Sequence, residues 1–245
     1  MRLHIFFTPA ELAAVMAQPD DIYIVIDVIR ATTSLTTIFD SGAKRVLIAQ
    51  TIEQAQAAAQ RIPGCLLCGE RQALPLPGFD YGNSPVQFSQ ADLSGRELIL
   101  ITTNGTRAFF TCPPHSTRLT GCFYNAQAVT ARAIQQAQQG NHNIAIVCAG
   151  EQNYFALDDS VCAGYLALAL QHQYPALQVD ESVDAATALY HSYPPSVLPN
   201  CCNSARSVIA AGLQEDLQLC MRANGSKRVP MVIGQDKKTG LLVLA

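Results

Sequence analysis

Hydrophobic and polar positions fall in blocks along this chain. Runs of leucine and β-branched side chains, "LHIFF" at 3–7, "IYIVI" at 22–26, "RVLIA" at 45–49, "ELILI" at 97–101 and "NIAIVCAG" at 143–150, read as strands, most of them buried on both faces. Helical segments separate them. Thr8-Pro-Ala-Glu11 combines an N-cap hydroxyl, a proline at N1 and a carboxylate at N3, which opens a helix through Met16. Thr32 to Asp40 is a short helix ended by Ser41-Gly42, and Thr51-Ile-Glu-Gln54 caps an alanine- and glutamine-rich helix that stops at Pro63-Gly64. Further helices are expected from about Asn125 to Gln139, over "LDDSVCAGYLALALQHQY" from Leu157, and around Leu213 to Arg222. The alternation predicts an α/β fold, a three-layer α/β/α arrangement around a mostly parallel sheet, with room for two α/β lobes.

Three stretches break the rhythm. Gly69 to Pro85 is rich in Gly and Pro and is expected to be an ordered loop, "CPPHSTR" at 112–118 is turn-rich, and "HSYPPSVLPNCCNSARS" at 191–207 is a second loop or lobe boundary. "VPMVI" and "LLVLA" close the chain as strands.

With 245 residues, 49% hydrophobic and 14% charged, the chain is expected to be globular. We read residues 1–245 as a single catalytic unit, with any second lobe in the C-terminal half. A net charge of −3 argues against a nucleic-acid footprint, and no apolar run reaches the length of a membrane span. Nine cysteines without a secretory start suggest a cytoplasmic protein with reduced thiols. Cys65-Leu-Leu-Cys68 has the spacing of half a zinc site, but no matching second pair follows. The partner expected is a small anionic metabolite, and a homodimer is left open.

Polar residues cluster at three strand ends: Asp27, Arg30, Thr32 and Thr33; then Thr102 to Thr106; then Cys148 to Gly150 followed by Asp158 and Asp159. In a parallel sheet such ends share one edge, where ligands bind. Hydroxyls, Asn, Gly amides and Arg suit an anion such as phosphate, and carboxylates beside them suit a bridging cation, most simply Mg2+. Each cluster also has a plainer explanation. Asp27 could cap the next helix and pair with Arg30, Thr103-Asn104-Gly105 could be a tight turn, and Asp158-Asp159 could be first-turn acids. Neither a P-loop nor a dinucleotide fingerprint is present, and Ile29 breaks an aspartate-x-aspartate motif. Cys112-x5-Arg118 has cysteine-phosphatase spacing, but two prolines remove amides from the cradle that such a loop needs.

"DVIRATTS" at 27–34, "GER" at 69–71, "GFDYGNSP" at 78–85, "TTNGTRA" at 102–108, "CAG" at 148–150, "DDSVCAG" at 158–164 and, more weakly, "NSARSVIAAGLQEDLQLC" at 203–220 together resemble the 2-phosphosulfolactate phosphatase family. Its coenzyme M pathway members hydrolyse a phosphate ester of sulfolactate. The chain departs from the family pattern at Asp158, where Glu-Asp is commoner, and at 203–207, where "NSARS" replaces a Ser-x-x-Gly-like stretch. The resemblance implies an α/β/α phosphomonoesterase dependent on Mg2+. It implies Asp27, Glu70 and Asp159 as catalytic residues, and Asp27, Glu70, Asp80 and Asp159 as metal ligands. Substrate binding falls to Arg30, Thr32, Thr33, Arg71, Asn83, Ser84, Thr103, Asn104, Gly105, Thr106 and Arg107, of which the arginines would meet carboxylate, sulfonate and phosphate. A metal-positioned water and an aspartate nucleophile both remain open as mechanisms. So do two other functions: a phosphatase for another small phosphorylated acid, and a non-catalytic sensor of an anionic metabolite.

Overall fold

A computed structural model describes the whole chain, residues 1–245. The N-terminal half contains β1 (Arg2–Phe6), α1 (Pro9–Ala13), β2 (Ile22–Ile26), α2 (Ala31–Asp40), β3 (Arg45–Ile48) and α3 (Ile52–Arg61). It continues through β4 (Leu66–Arg71), β5 (Leu74–Pro75), α4 (Pro85–Gln90), β6 (Glu97–Ile101), α5 (Gly105–Thr111) and β7 (Thr117–Gly121). There follow α6 (Ala126–Gly140), β8 (Ile144–Cys148), α7 (Leu157–Gln173), β9 (Gln178–Val179) and α8 (Glu181–Ser192). The chain ends with α9 (Asn203–Ala210), α10 (Glu215–Cys220), β10 (Val232–Gln235) and β11 (Leu242–Leu244).

The strands form two sheets. One, in the order β7-β2-β8-β1-β9, is parallel throughout. The other, β10-β11-β3-β6-β4-β5, is parallel at its centre, where β6 lies between β3 and β4, and antiparallel toward both edges. Each sheet takes strands from both halves of the sequence.

Alternation along the strands explains the layering. In β2, Ile22, Ile24 and Ile26 join a core with α6, α7 and α8, whereas Tyr23 and Val25 face the opposite way. That second face shares a core with Val46 and Ile48 of β3, Leu98 and Leu100 of β6, and apolar residues of α1, α2, α4 and α5. The outer face of the mixed sheet, including Leu47, Ile99 and Ile101, packs on α3. Each sheet is therefore the β layer of an α/β/α unit, and the two units share their middle helices. No helix is long and apolar enough to cross a membrane.

Thr8 and Thr51 cap α1 and α3 as their sequences predict. Two expectations require correction. Residues 69–71 are the end of strand β4 and not part of a loop; Gly69 is needed there because a Cβ would meet Ile101 Cγ2 of β6 at 2.7 Å. Residues 203–207 form the first turns of α9, where Ala205 and Val208 bury themselves in the core. Strand β7 overlaps the turn-rich segment; its pairing with β2 across the parallel sheet, and not its local pattern, makes it a strand, and its Arg118 is buried and donates to the Phe109 carbonyl at 2.9 Å.

Candidate active site

The carboxyl ends of strands from both sheets converge. Asp27 follows β2, Gly150 follows β8, Glu70 lies near the end of β4, and Thr102 and Thr103 follow β6. Between them opens a cavity of about 430 Å³ lined by Asp27, Arg30, Glu70, Asn83, Thr103 and Asn104. Glu151, Gln152, Ser204 and Ser207, which sequence reasoning did not single out, complete much of its wall. In the helices that begin around it, α2, α5, α7 and α9, the residue at the N-cap makes no side-chain bond to the first turn. By contrast α1, α3, α4 and α8 are capped by Thr8, Thr51, Ser84 and Asp180. Two first-turn amides are nonetheless taken, the Ala31 N–H by Asp27 Oδ1 and the Thr106 N–H by Thr102 Oγ1, so only part of the donor set around the cavity is free to receive an anion.

Four carboxylates are buried here: Asp27, Glu70, Asp158 and Asp159. Asp27 Oδ1 accepts the Ala31 N–H at 3.2 Å, while Oδ2 has no protein donor. Gly105 lies against it, since a Cβ there would stand 2.7 Å from Oδ2 and 2.7 Å from Ala31 Cβ. Burial, helped by the charges of Asp158 and Glu70, pushes Asp27 up to about 7 against the pull of the Ala31 amide. Burial likewise lifts Asp158 to about 6, with Glu151 adding repulsion and Ser204 Oγ, a donor at 3.2 Å, opposing it.

Asp159 and Glu70 are more fully committed to protein donors. Asp159 accepts Val28 N–H at 2.9 Å with one oxygen and Gly150 N–H at 3.0 Å with the other, and so clips the ends of β2 and β8 together. Burial and the neighbouring Asp158 and Asp27 nevertheless raise it well above the carboxylate range. Glu70 Oε1 accepts the Thr103 N–H at 2.7 Å and its hydroxyl at 2.8 Å, and Oε2 accepts the Ala73 N–H at 3.1 Å. Glu70 is held in a single orientation facing the cavity.

The expected anion-binding residues divide into two groups. Arg30, Asn83, Thr103 and Asn104 reach the cavity. Asn83 Oδ1 is buried without a partner, and Asn104 Oδ1 accepts the Gln152 N–H at 3.1 Å. Thr32, Thr33 and Thr106 do not line it; their hydroxyls donate to the carbonyls of Asp27, Val28 and Thr102 and fix the starts of α2 and α5. Ser84 caps α4 and donates to Asp216 at 2.5 Å. Arg71 is exposed and reaches Thr103 Oγ1 at 3.5 Å, and Arg107, also outside the lining, has buried Nε and Nη2 atoms without partners. Asp80 stands apart from the cluster, accepting the Leu67 N–H at 2.8 Å. Arg30 does not pair with Asp27. It donates to Asp216 Oδ2 at 2.7 Å and to the Ala73 carbonyl at 2.7 Å.

Cys112 is buried, its thiol donates to the Ala108 carbonyl, and burial pushes it up to about 12. Such a thiol is not a nucleophile near neutral pH. The donor set at the cavity does suit a hard cation. Carboxylates Asp27, Glu70 and Glu151 outnumber the one lining cation, Arg30, which is itself paired. No three Asp, Glu, His or Cys side chains are grouped to hold a metal ion by themselves, so a cation here would need oxygen ligands from substrate and water as well.

A model of the family described as 2-phosphosulpholactate phosphatase matches residues 6–235. The chain belongs to the 2-phosphosulpholactate phosphatase family. A relative from Deinococcus radiodurans is 35% identical over 229 residues, covering 91% of this chain and 92% of its own. One from Parasynechococcus marenigrum is 34% identical over 236 residues, or 94% and 96% of the two chains. Another from Clostridium acetobutylicum is 31% identical over 212 residues, or 84% and 87%. All three bear the name "Probable 2-phosphosulfolactate phosphatase". The family match spans the whole cavity, from Asp27 to Ala211, and places the chain among phosphoric monoester hydrolases.

Proposed function

We propose that the chain hydrolyses the phosphate monoester of 2-phospho-3-sulfolactate, releasing 3-sulfolactate and phosphate, in a reaction that depends on Mg2+. The observation that carries the reading is the charge balance of the cavity: buried carboxylates that repel one another surround the space that a multiply anionic ester would enter. A divalent cation resolves both problems at once.

Asp27, which lines the cavity and whose Oδ2 has no protein donor, is the residue to hold the cation, with the nearby charge of Asp158 adding to its attraction. Bound there, it would withdraw charge from the phosphoryl oxygens. Glu70 is fixed by Thr103 and Ala73, so it can accept a proton from the attacking water without reorienting. The water oxygen bonds to phosphorus as the bond from phosphorus to the ester oxygen breaks, and the proton passes to the departing alkoxide. Arg30 and the uncapped first turn of α9 offer donors to the anionic groups of the substrate. Asp159, with two backbone amides to hold, acts on the frame and not on the substrate.

The test is phosphate release from a panel containing racemic phosphosulfolactate, phospholactate and phosphoglycolate. Preference for phosphosulfolactate is expected. Preference for another member would reassign the substrate, and tight metabolite binding without hydrolysis would favour a sensor.

A further inference from the structure

We propose that Asp216, which lies outside the cavity, is a positioning residue for the reaction and acts through Arg30. Its catalytic consequence rests on the phosphatase reading above; the clamp itself rests on geometry alone.

A guanidinium carries five N–H donors in one plane. In Arg30, Nη1 is bound by Asp216 Oδ2 and Nη2 by the Ala73 carbonyl, each at 2.7 Å, and both ionic side chains are 2% exposed. The other oxygen of Asp216 accepts Ser84 Oγ at 2.5 Å and the Val86 N–H at 3.4 Å. One carboxylate from α10 thereby fixes the residue entering α2 and the first turn of α4.

The opposite side of the clamp is a tight hairpin turn. Strands β4 and β5 pair Glu70 with Pro75 and Arg71 with Leu74, which leaves Gln72 and Ala73 as a two-residue turn. Both have positive φ, 51° and 66°, a conformation that usually selects Asn or Gly. The turn is held by what Ala73 binds: its N–H donates to Glu70 Oε2 and its carbonyl accepts from Arg30. Glu70, Ala73, Arg30, Asp216 and Ser84 thus form one continuous chain of bonds.

Two fixed nitrogens leave the other donors of Arg30 in one orientation, which a flexible arginine would have to adopt again at each binding event. Without Asp216, the buried guanidinium would be drawn to the other acids that line the cavity, of which Asp27 has an oxygen without a protein donor. The substrate would then compete with the protein for its own anion receptor. A KM effect mediated by Arg30 follows.

The experiment is a double-mutant cycle in the full chain using Asp216→Asn, Arg30→Gln and the double variant, each shown to be folded by circular dichroism and melting. Asp216→Asn should raise KM at least about 10-fold with a smaller change in kcat, and should alter kcat/KM of the Arg30→Gln variant by less than about 3-fold. Asp216→Glu should recover part of the loss. If Asp216→Asn does not fold, Ser84→Ala, which leaves the charge in place, should give a smaller KM rise that likewise vanishes in the Arg30→Gln background. Independently of turnover, the 15N-detected Nη protons of Arg30 should show hindered exchange in the wild type and lose it in Asp216→Asn or, less completely, in Ser84→Ala. Additive losses, or an unchanged Arg30 resonance, would overturn the proposal. If the wild type hydrolyses no ester, the phosphatase reading fails, and the cycle is then measured by calorimetric binding of inorganic phosphate in the presence of Mg2+. The same non-additivity is required there, and absence of binding would overturn the positioning role too.

Discussion

Asp159 holds the backbone of Val28: one carboxylate oxygen accepts its N–H at 2.9 Å, directly after the residue that carries the free oxygen of the site. The second oxygen takes the Gly150 N–H, so one side chain ties the ends of two neighbouring strands. Asp158 and Asp159 are adjacent in sequence and both lie among the buried acids, yet Asp158 accepts from the Ser204 hydroxyl of the cavity wall whereas Asp159 takes two backbone amides of the frame. This division separates stability from catalysis in a way that substitutions can reveal.

Asp159→Ala leaves two buried N–H groups without acceptors. The expected cost is about 2–4 kcal/mol. For a chain of this size that corresponds to a fall in Tm of about 5–15 °C, measured by calorimetry. A small loss of Tm with a complete loss of magnesium binding would instead make Asp159 a ligand.

Asp27→Asn keeps the shape and the Ala31 hydrogen bond but removes the charge. If Asp27 supports the transition state, turnover should fall at least about 100-fold. The metal-free variant should at the same time melt higher than wild type at pH 8, because a buried like charge is gone. Near-wild-type turnover would remove Asp27 from the mechanism and leave it as a helix cap.

The pH dependence of stability has a definite sign. Asp27 and Asp158 have folded values raised from 3.8 to about 7 and about 6. A raised acid binds more protons in the folded than in the unfolded chain, so its stabilising contribution is complete below about pH 4 and is lost as pH rises through 6 and 7. Melting of metal-free protein should therefore fall between pH 5 and pH 8. Magnesium favours the ionised carboxylates and should raise Tm more at pH 8 than at pH 5. Chelated protein should lose phosphate release and regain it with added Mg2+; full activity in demonstrably metal-free protein would end the magnesium assignment.

Much of the frame was legible because burial on both faces writes itself into continuous apolar runs. β2, β6 and β8 are such runs, and the polar residues after each do reach or support one cavity. β4 escaped because its glycine, required by close approach to Ile101, reads locally as a loop signal. Asp216 escaped for a different reason: beside Glu215 at the start of α10 it looks like an ordinary first-turn acid, and only the fold brings Arg30 to it across 186 positions. The Thr32, Thr33 and Thr106 hydroxyls illustrate the converse, since residue type suggested ligand donors and the backbone carbonyls one turn away had already engaged them.

Gly105 provides the sharpest test of how closely the two sheets are joined at the site. Its helix begins after β6 of the mixed sheet, and its α-carbon faces Asp27, which follows β2 of the parallel sheet. A methyl group there would meet Asp27 Oδ2 and Ala31 Cβ at 2.7 Å, distances that require movement of one side or the other. Asp27 cannot retreat without breaking its bond to Ala31, and α2 is packed in the shared core through Leu35, Ile38 and Phe39. Gly105→Ala should therefore displace the carboxylate, lowering both turnover and magnesium affinity at least about 10-fold, at a stability cost of about 1–3 kcal/mol typical of overpacking. Isothermal titration with Mg2+ and steady-state kinetics on the folded variant measure the two losses. If magnesium affinity falls while turnover at saturating metal is restored, Asp27 serves only to recruit the ion; loss of turnover that saturation does not restore assigns it to the transition state.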